Sequence, residues 1–188
     1  MAVTVTFVEF NGATPEHSQG SGPVVANLNL VNADVRNGVP ATYPILAGTN
    51  SFAKFVQAQW SGSFTKISNA KLWKSAGAYG TDELIKMSGS YSKITPAITS
   101  LPDVGAKAVA AIPTSVPASA NVAFAKSAAR NTFTTTAGCI PNGSQAASSP
   151  GYYSGSRSST IALQMNTSAS TAAGATSTKT FSLSYDRQ

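Results

Sequence analysis

A single cysteine, a single histidine and seven carboxylates are the whole stock of metal-ligating and acid–base side chains in this chain of 188 residues. With Cys139 alone, no disulfide can form within the chain. The fold therefore cannot lean on the covalent staples that small secreted domains use. Charged residues make up 11% of the sequence, against roughly 25% in ordinary soluble proteins. That deficit excludes a charge-rich disordered tail and a solvated coiled coil. No apolar run approaches the ~18 residues that a helix needs to cross a bilayer, so an integral membrane protein is not expected. Phosphate-binding loops, dinucleotide fingerprints and Cys/His zinc spacings are absent as well.

The 13 basic residues exceed the seven acidic ones, for a net charge of +6 and an isoelectric point near 9.6. Such a balance suits a nucleic-acid or membrane-surface partner only when the charge is clustered. Here Lys54, Lys66, Lys71, Lys74, Lys86, Lys93 and Lys107 fall singly. The spread reads as solubilising charge with a mild attraction to an acidic partner, and no specific nucleic-acid or membrane partner is expected. The opening MAVTVTFVEF has no positive leader and no continuous apolar stretch, so it reads as a strand and not as a signal peptide. The chain is expected to be unprocessed, and the sequons at Asn142 and Asn166 are expected to be chance products of its Ser/Thr content.

Ala, Ser, Thr and Gly make up close to half of the chain, and what remains is patterned for strands. Val3, Val5 and Phe7 alternate with Thr4 and Thr6, the period of a strand buried on one face. The same alternation predicts strands over 24–32, 52–60, 69–75, 83–87, 107–112, 121–126, 159–166 and 178–185. On their apolar faces, Trp60, Leu72, Leu163 and Leu183 are expected to be core residues. Ten prolines spread through the chain leave little room for long helices. The Ala-rich segments 104–111 and 123–130 fit either a short helix or a strand. Eight or nine short strands separated by Gly, Pro, Asn and Ser point to an all-β protein. The expected architecture is a single β-sandwich over residues 1–188, immunoglobulin-like or jelly-roll. The loops at 10–23 and 141–159 are long and rich in Gly and Ser. They are expected to be ordered by contact with neighbouring subunits.

The residues that could carry chemistry are few. His17, in PEHSQGSG, lies between turn signals with no partner placed beside it, and no G-x-S-x-G elbow is present. It reads as an exposed loop residue. Cys139, in TTTAGCIPNGS, would need an imidazole to act as a nucleophile, and reads as a buried, inert thiol. Asp82 and Glu83 are adjacent, so on a strand they would point to opposite faces. With Gly80 and Thr81 they offer too few oxygens for a calcium loop. Trp60, Trp73, Tyr79, Tyr91, Tyr152 and Tyr153 could form an aromatic platform for a sugar ring, though Trp60 continues the Val56–Ala58 face and is expected in the core. No catalytic residue, metal site or cofactor is expected.

Two stretches carry a family resemblance. They are AGTNSFAKFVQAQWSGSFTKISNAKLWKSAG at 47–77 and SSTIALQMNTSASTAAGATSTKTFSLSYD at 158–186. Both resemble β-sandwich proteins encoded among the structural genes of tailed bacteriophages. In that group an Asn-Ser-aromatic-x-Lys run, here Asn50, Ser51, Phe52 and Lys54, precedes a strand. A final strand pair ends in Tyr-Asp, here Tyr185-Asp186. The two stretches cover 60 of the 188 residues, and 104–157 carries no part of the likeness. The resemblance implies a non-enzymatic virion protein, assembled in the host cytoplasm. Within that class it implies a capsid decoration, or cement, protein that binds the major capsid protein and neighbouring copies of itself. A tail, neck or fibre-associated protein is the alternative within the virion. A carbohydrate-binding module for host attachment is the alternative outside it.

Overall fold

The computed structural model of the chain describes residues 3–12, 24–62, 66–91, 110–118, 140–141, 156–157, 160–172 and 177–187. Among these residues all regular structure is strand, with no helix. The strands are β1 (Thr4–Glu9), β2 (Lys54–Ser61), β3 (Lys66–Ala76), β4 (Leu84–Tyr91), β5 (Ala110–Ala111), β6 (Ile140–Pro141), β7 (Ser156–Arg157), β8 (Thr160–Asn166) and β9 (Thr180–Arg187). They form two antiparallel sheets. One runs β1-β2-β8-β4-β5, with β7 also paired to β2, and the other runs β6-β3-β9.

One buried cluster draws on both sheets. Val56, Ala58 and Trp60 of β2, Ile85 and Met87 of β4, and Ile161, Leu163 and Met165 of β8 come from the first. Ile67, Ala70 and Leu72 of β3 come from the second. These are alternate positions on their strands, as the two-residue period requires, except that a bulge sets Ile67 and Ala70 three residues apart on β3. Trp60 lies directly opposite Val5 in the β1–β2 ladder and meets the Tyr185 ring edge-on, with centroids 6.3 Å apart. The segment after β5 ties the sheets together at one side. Ile112 N–H donates to the Ile85 carbonyl of β4 at 3.0 Å, and Lys74 N–H of β3 donates to the Pro113 carbonyl at 2.8 Å.

The alternation in β2 misleads on one point. Gln57 belongs to the supposedly polar face, yet it is 1% exposed. The opposite face of β1, β2 and β8 is a second buried cluster of Val8, Phe10, Ala53, Phe55 and Ala162. Gln164 is buried on that face too, with Nε2 donating to the Ser51 carbonyl at 2.9 Å. A buried amide is tolerated when its polar atoms are bonded.

Two other expectations are corrected. Residues 24–32 are not a strand. Val24 makes only an isolated bridge to Val8, and Val25 N–H donates to the Phe7 carbonyl at 2.8 Å. The chain then bends at Ala26 and Asn27, and Leu28 and Leu30 pack half-buried against the main core. Their alternation with asparagine comes from a chain lying over the core and not from sheet pairing. Leu183 is also only half-buried, unlike Trp60, Leu72 and Leu163. Among the described residues its strand, β9, pairs on one side alone, so its inward face sits at the rim. The predicted strand at 121–126, the segments 104–109 and 123–130, and most of the two long loops lie outside the described residues. Of 104–111, Ala110–Ala111 is strand.

β3 is bent by two bulges against the regular β9, between Ser68 and Lys71 and between Lys74 and Ala76. Asn69 supplies the first extra residue at φ 52°, a left-handed conformation that asparagine tolerates better than most residues. Its Nδ2 reaches Asp186 Oδ2 at 3.2 Å. Gly77 then leaves the strand at φ 84°, and a Cβ there would stand 2.2 Å from the Thr178 carbonyl oxygen. Only glycine fits that approach.

Candidate functional site

Among the described residues, the side chains that could carry chemistry do not converge. Trp60 is fully buried, Trp73 is half-buried on β3 opposite Ser182, and Tyr79 lies in the β3–β4 connection. Tyr91 ends β4. His17, Cys139, Tyr152 and Tyr153 lie outside the described residues, so no aromatic platform is assembled from the described ones. Asp82 and Glu83 do part company, but at a turn and not on a strand. Asp82, at φ 55°, is exposed and accepts from Ser168 Oγ at 3.1 Å and from Ser170 Oγ. Glu83 turns inward, 5% exposed.

Glu83 anchors a small charged cluster. Its Oε1 lies 2.7 Å from Lys179 Nζ, and its Oε2 accepts the Gly80 N–H at 2.6 Å. Tyr79 lies beside it under two ammonium groups. Lys74 Nζ is 4.7 Å from the ring centroid and Lys179 Nζ is 5.8 Å away. Lys74 Nζ also donates to the Gly77 carbonyl, holding the turn closed. The Tyr79 phenol is raised above its ordinary value of 10.0, first by burial and then by the negative charge of Glu83. The backbone of Ile85 opposes the shift. The sign follows from linkage. Above pH ~10 the unfolded phenol loses its proton while the folded one keeps it, so stability falls as pH rises through that range. Tyr79→Phe is expected to make alkaline destabilisation shallower in denaturant melts taken from neutral pH upward. An unchanged alkaline slope would show that Tyr79 does not contribute to it.

The most distinctive surface lies in the connection from β1 to β2. From Asn37 to Ala53 the sequence carries no charged residue. It presents Val39, Tyr43 and Leu46 to solvent at 55%, 37% and 61% exposure. This is no slack loop. Thr42 and Tyr43 N–H both donate to the Val39 carbonyl, at 2.9 and 3.0 Å, forming a tight turn. Asn32 N–H reaches the Tyr43 carbonyl at 3.1 Å, and Phe52 N–H reaches the Val31 carbonyl at 3.0 Å. On the far side, Gly48 N–H donates to the Ser168 carbonyl at 2.9 Å, and Thr167 Oγ1 donates to the Leu46 carbonyl at 3.3 Å.

Below this apolar tip is a buried polar clamp. Lys54 Nζ and Glu9 Oε1 are 2.7 Å apart, with both side chains 0% exposed. Lys54 Nζ also donates to the Val35 carbonyl, and Glu9 Oε2 accepts Asn37 N–H at 3.3 Å. Next to this pair, Asn11 Nδ2 donates to the Ala53 carbonyl at 2.7 Å and to Asp34 Oδ1 at 2.9 Å. Asn11 Oδ1 accepts Phe55 N–H at 2.9 Å. Asp34 Oδ1 also takes Gly12 N–H at 2.9 Å. The turn at 31–38 is thereby fixed to β1 and β2, and Gly38 leaves room for Val31, whose Cγ2 would lie 2.6 Å from any Cβ there.

The run Asn50, Ser51, Phe52 and Lys54 forms the hinge from the exposed loop into β2. Asn50 accepts from Asn166 Nδ2 at 2.7 Å, and Ser51 Oγ accepts Met165 N–H at 3.0 Å. Lys54 belongs to the clamp. Sequence reasoning missed Glu9, Asn11 and Asp34 as its partners, because contacts across 45 residues leave no local periodicity. The one available signal is a lysine set between Ala53 and Phe55 at the mouth of an apolar strand. No protein-family model, no curated protein and no solved structure matches this chain.

Proposed function

We propose that this chain is a non-enzymatic virion structural protein, most specifically a capsid decoration protein of a tailed bacteriophage, whose two sheets make up one β-sandwich. The observation that supports a binding role is the uncharged segment 37–53, which holds Val39, Tyr43 and Leu46 out in solvent on a clamped base. An exposed apolar surface on a fixed support suits a contact with another protein. Its fixed turns reduce the entropy lost on docking. Ser, Thr and Asn around it can be desolvated at lower cost than Lys or Glu, because a hydroxyl finds a partner more cheaply than an ion does. The resemblance of 47–77 and 158–186 to phage sandwich proteins supplies the class of partner, a capsid lattice. The +6 charge adds a weak pull toward an acidic shell, screened beyond about 8 Å at physiological salt.

The test is binding to shells from the phage that encodes the chain, stripped of it or assembled without it. The purified protein is expected to co-sediment with them and to saturate in fixed ratio to the major capsid protein. Tyr43→Glu combined with Leu46→Glu is expected to abolish that binding while leaving the thermal transition in place. Saturation at a few copies per particle would favour the tail or neck reading. Retained glycan affinity in the isolated monomer, without shell binding, would favour the carbohydrate-binding one. A double variant that binds shells as well as the parent would remove the loop from the interface.

A further inference from the structure

We propose that β9 is a self-complementary docking edge, at which two copies of this chain pair antiparallel across a two-fold axis. Among the described residues, the other long sheet edges are covered. The outer side of β1 receives Val24 and Val25, β4 is lined by β5 and Ile112, and β3 is met by β6 and by Pro113. β9 pairs with β3 and with no other described strand. It is eight residues long and regular, and it contains no proline. Six of those residues, Thr180 to Tyr185, are uncharged. Natural proteins protect such an edge with proline, lysine, a bulge or a cover, and among the described residues β9 has none of these along its central stretch.

The register of the edge follows from the ladder. Lys74 N–H points away from β9, to the Pro113 carbonyl. In an antiparallel pair the backbone groups alternate sides. Trp73 therefore faces β9, and its partner Ser182 spends its N–H and C=O on β3. Phe181, Leu183 and Tyr185 then direct their backbone groups outward. A two-fold axis through Leu183 sets these residues against themselves. Leu183 meets Leu183, Phe181 meets Tyr185, and each pair exchanges both of its backbone hydrogen bonds. The axis keeps the faces of the sheet aligned. The half-exposed side chains of Phe181, Leu183 and Tyr185 thus continue into the same three side chains of the second copy. Arg187 meets Lys179 at either end, and Glu83 already matches the charge of that lysine.

These are the inward positions that the rim of the core leaves open. Their half-exposure and the outward backbone groups independently mark the same edge. An isologous pairing of this kind closes on itself and does not propagate into a fibre. The occupant is a second copy because the edge matches its own reverse in hydrogen bonding, in side-chain size and in lack of charge. The inference deepens the decoration reading by naming a surface where neighbouring copies meet. It is tested on the isolated protein, so its failure leaves shell binding to be judged separately.

The experiment uses the full chain in a Cys139→Ser background, with Ser182→Cys in one preparation and Ser184→Cys in another. Both substitutions lie on the face of β9 away from the core, and both residues are only part-buried. In the proposed register Ser182 of one copy lies directly opposite Ser184 of the other, as a non-hydrogen-bonded pair with Cα atoms about 4.5 Å apart, within disulfide reach. Ser182 and its own symmetry mate lie roughly 8 Å apart by the strand rise, beyond that reach. On mild oxidation, the mixture is expected to give a crosslinked dimer of doubled mass, while each preparation alone stays largely uncrosslinked. Sedimentation of the parent chain is expected to show a concentration-dependent doubling of mass. A parent chain that stays monomeric at every concentration, or crosslinking that is absent or as efficient within each preparation as between them, would overturn the proposal.

Discussion

Lys54→Met is expected to lower the free energy of unfolding by about 3–5 kcal/mol, the usual cost of removing one partner from a buried ion pair. The reason is that Glu9 has nowhere to go. Its side chain is 0% exposed, and with the ammonium gone it keeps only the long contact from Asn37 N–H at 3.3 Å. The Val35 carbonyl loses its donor at the same time. Replacing both charges, as Glu9→Leu with Lys54→Met, is expected to recover most of the loss, because neither ion is then stranded. Urea melts of the parent, both single variants and the double variant form a cycle that isolates the pair. A single variant within about 1 kcal/mol of the parent would show that water reaches the pair in solution.

Trp60→Ala is expected to cost about 3–5 kcal/mol, the range for emptying a large aromatic site in a closed core. Trp60 is 0% exposed, meets Val5 across the ladder and touches the Tyr185 ring. Neither neighbour can readily move into the gap, because Val5 is held in β1 and Tyr185 in β9. The informative comparison is on the aliphatic side. Leu72→Ala is expected within the ~2–5 kcal/mol range for a buried leucine, and Leu183→Ala at roughly half of that. The two residues face each other in the β3–β9 ladder, one 3% exposed and the other half-buried. Equal costs, read from denaturant midpoints at constant slope, would show that the rim is closed in solution. That result would also remove one of the two observations behind β9 pairing.

Much of the fold was legible because Val, Ile and Phe alternate with Thr and Ser wherever a strand has one face in the core. β1, β8 and β9 appear at or within two residues of where that alternation places them. The errors have a common source. Alternation reports which side chains point the same way, but not what lies on the other side. Gln57 alternates with Val56 and Ala58 and so lies on the other face of β2, and that face is covered as well. Leu28 and Leu30 looked like a strand because they alternate with asparagines, whereas they drop onto the core from a bent chain. Leu183 looked central because its neighbours are apolar, whereas position in the sheet decides its exposure. The clamp of Glu9, Asn11, Asp34 and Lys54 was illegible for a different reason. Its members are brought together by the sheet, and each alone reads as an ordinary surface residue.

The order of the strands within each sheet bears on how the chain is made. β8 sits between β2 and β4, and β9 is the long partner of β3, yet both come from the last thirty or so positions. Lys54 pairs with Leu163, and Ile67 with Arg187. Pairings this distant in sequence place the protein among slow folders, on the order of milliseconds to seconds for such topologies. While the chain is being synthesised, β2 can pair only with β1, β3 and β4 must leave the ribosome without their main partners, and neither sheet can be completed until β8 and β9 have emerged. A nascent chain stalled short of residue 160 therefore exposes three apolar strands with open edges. Both sheets are thus completed only once these late strands have emerged, and the earlier apolar strands wait for their partners until then.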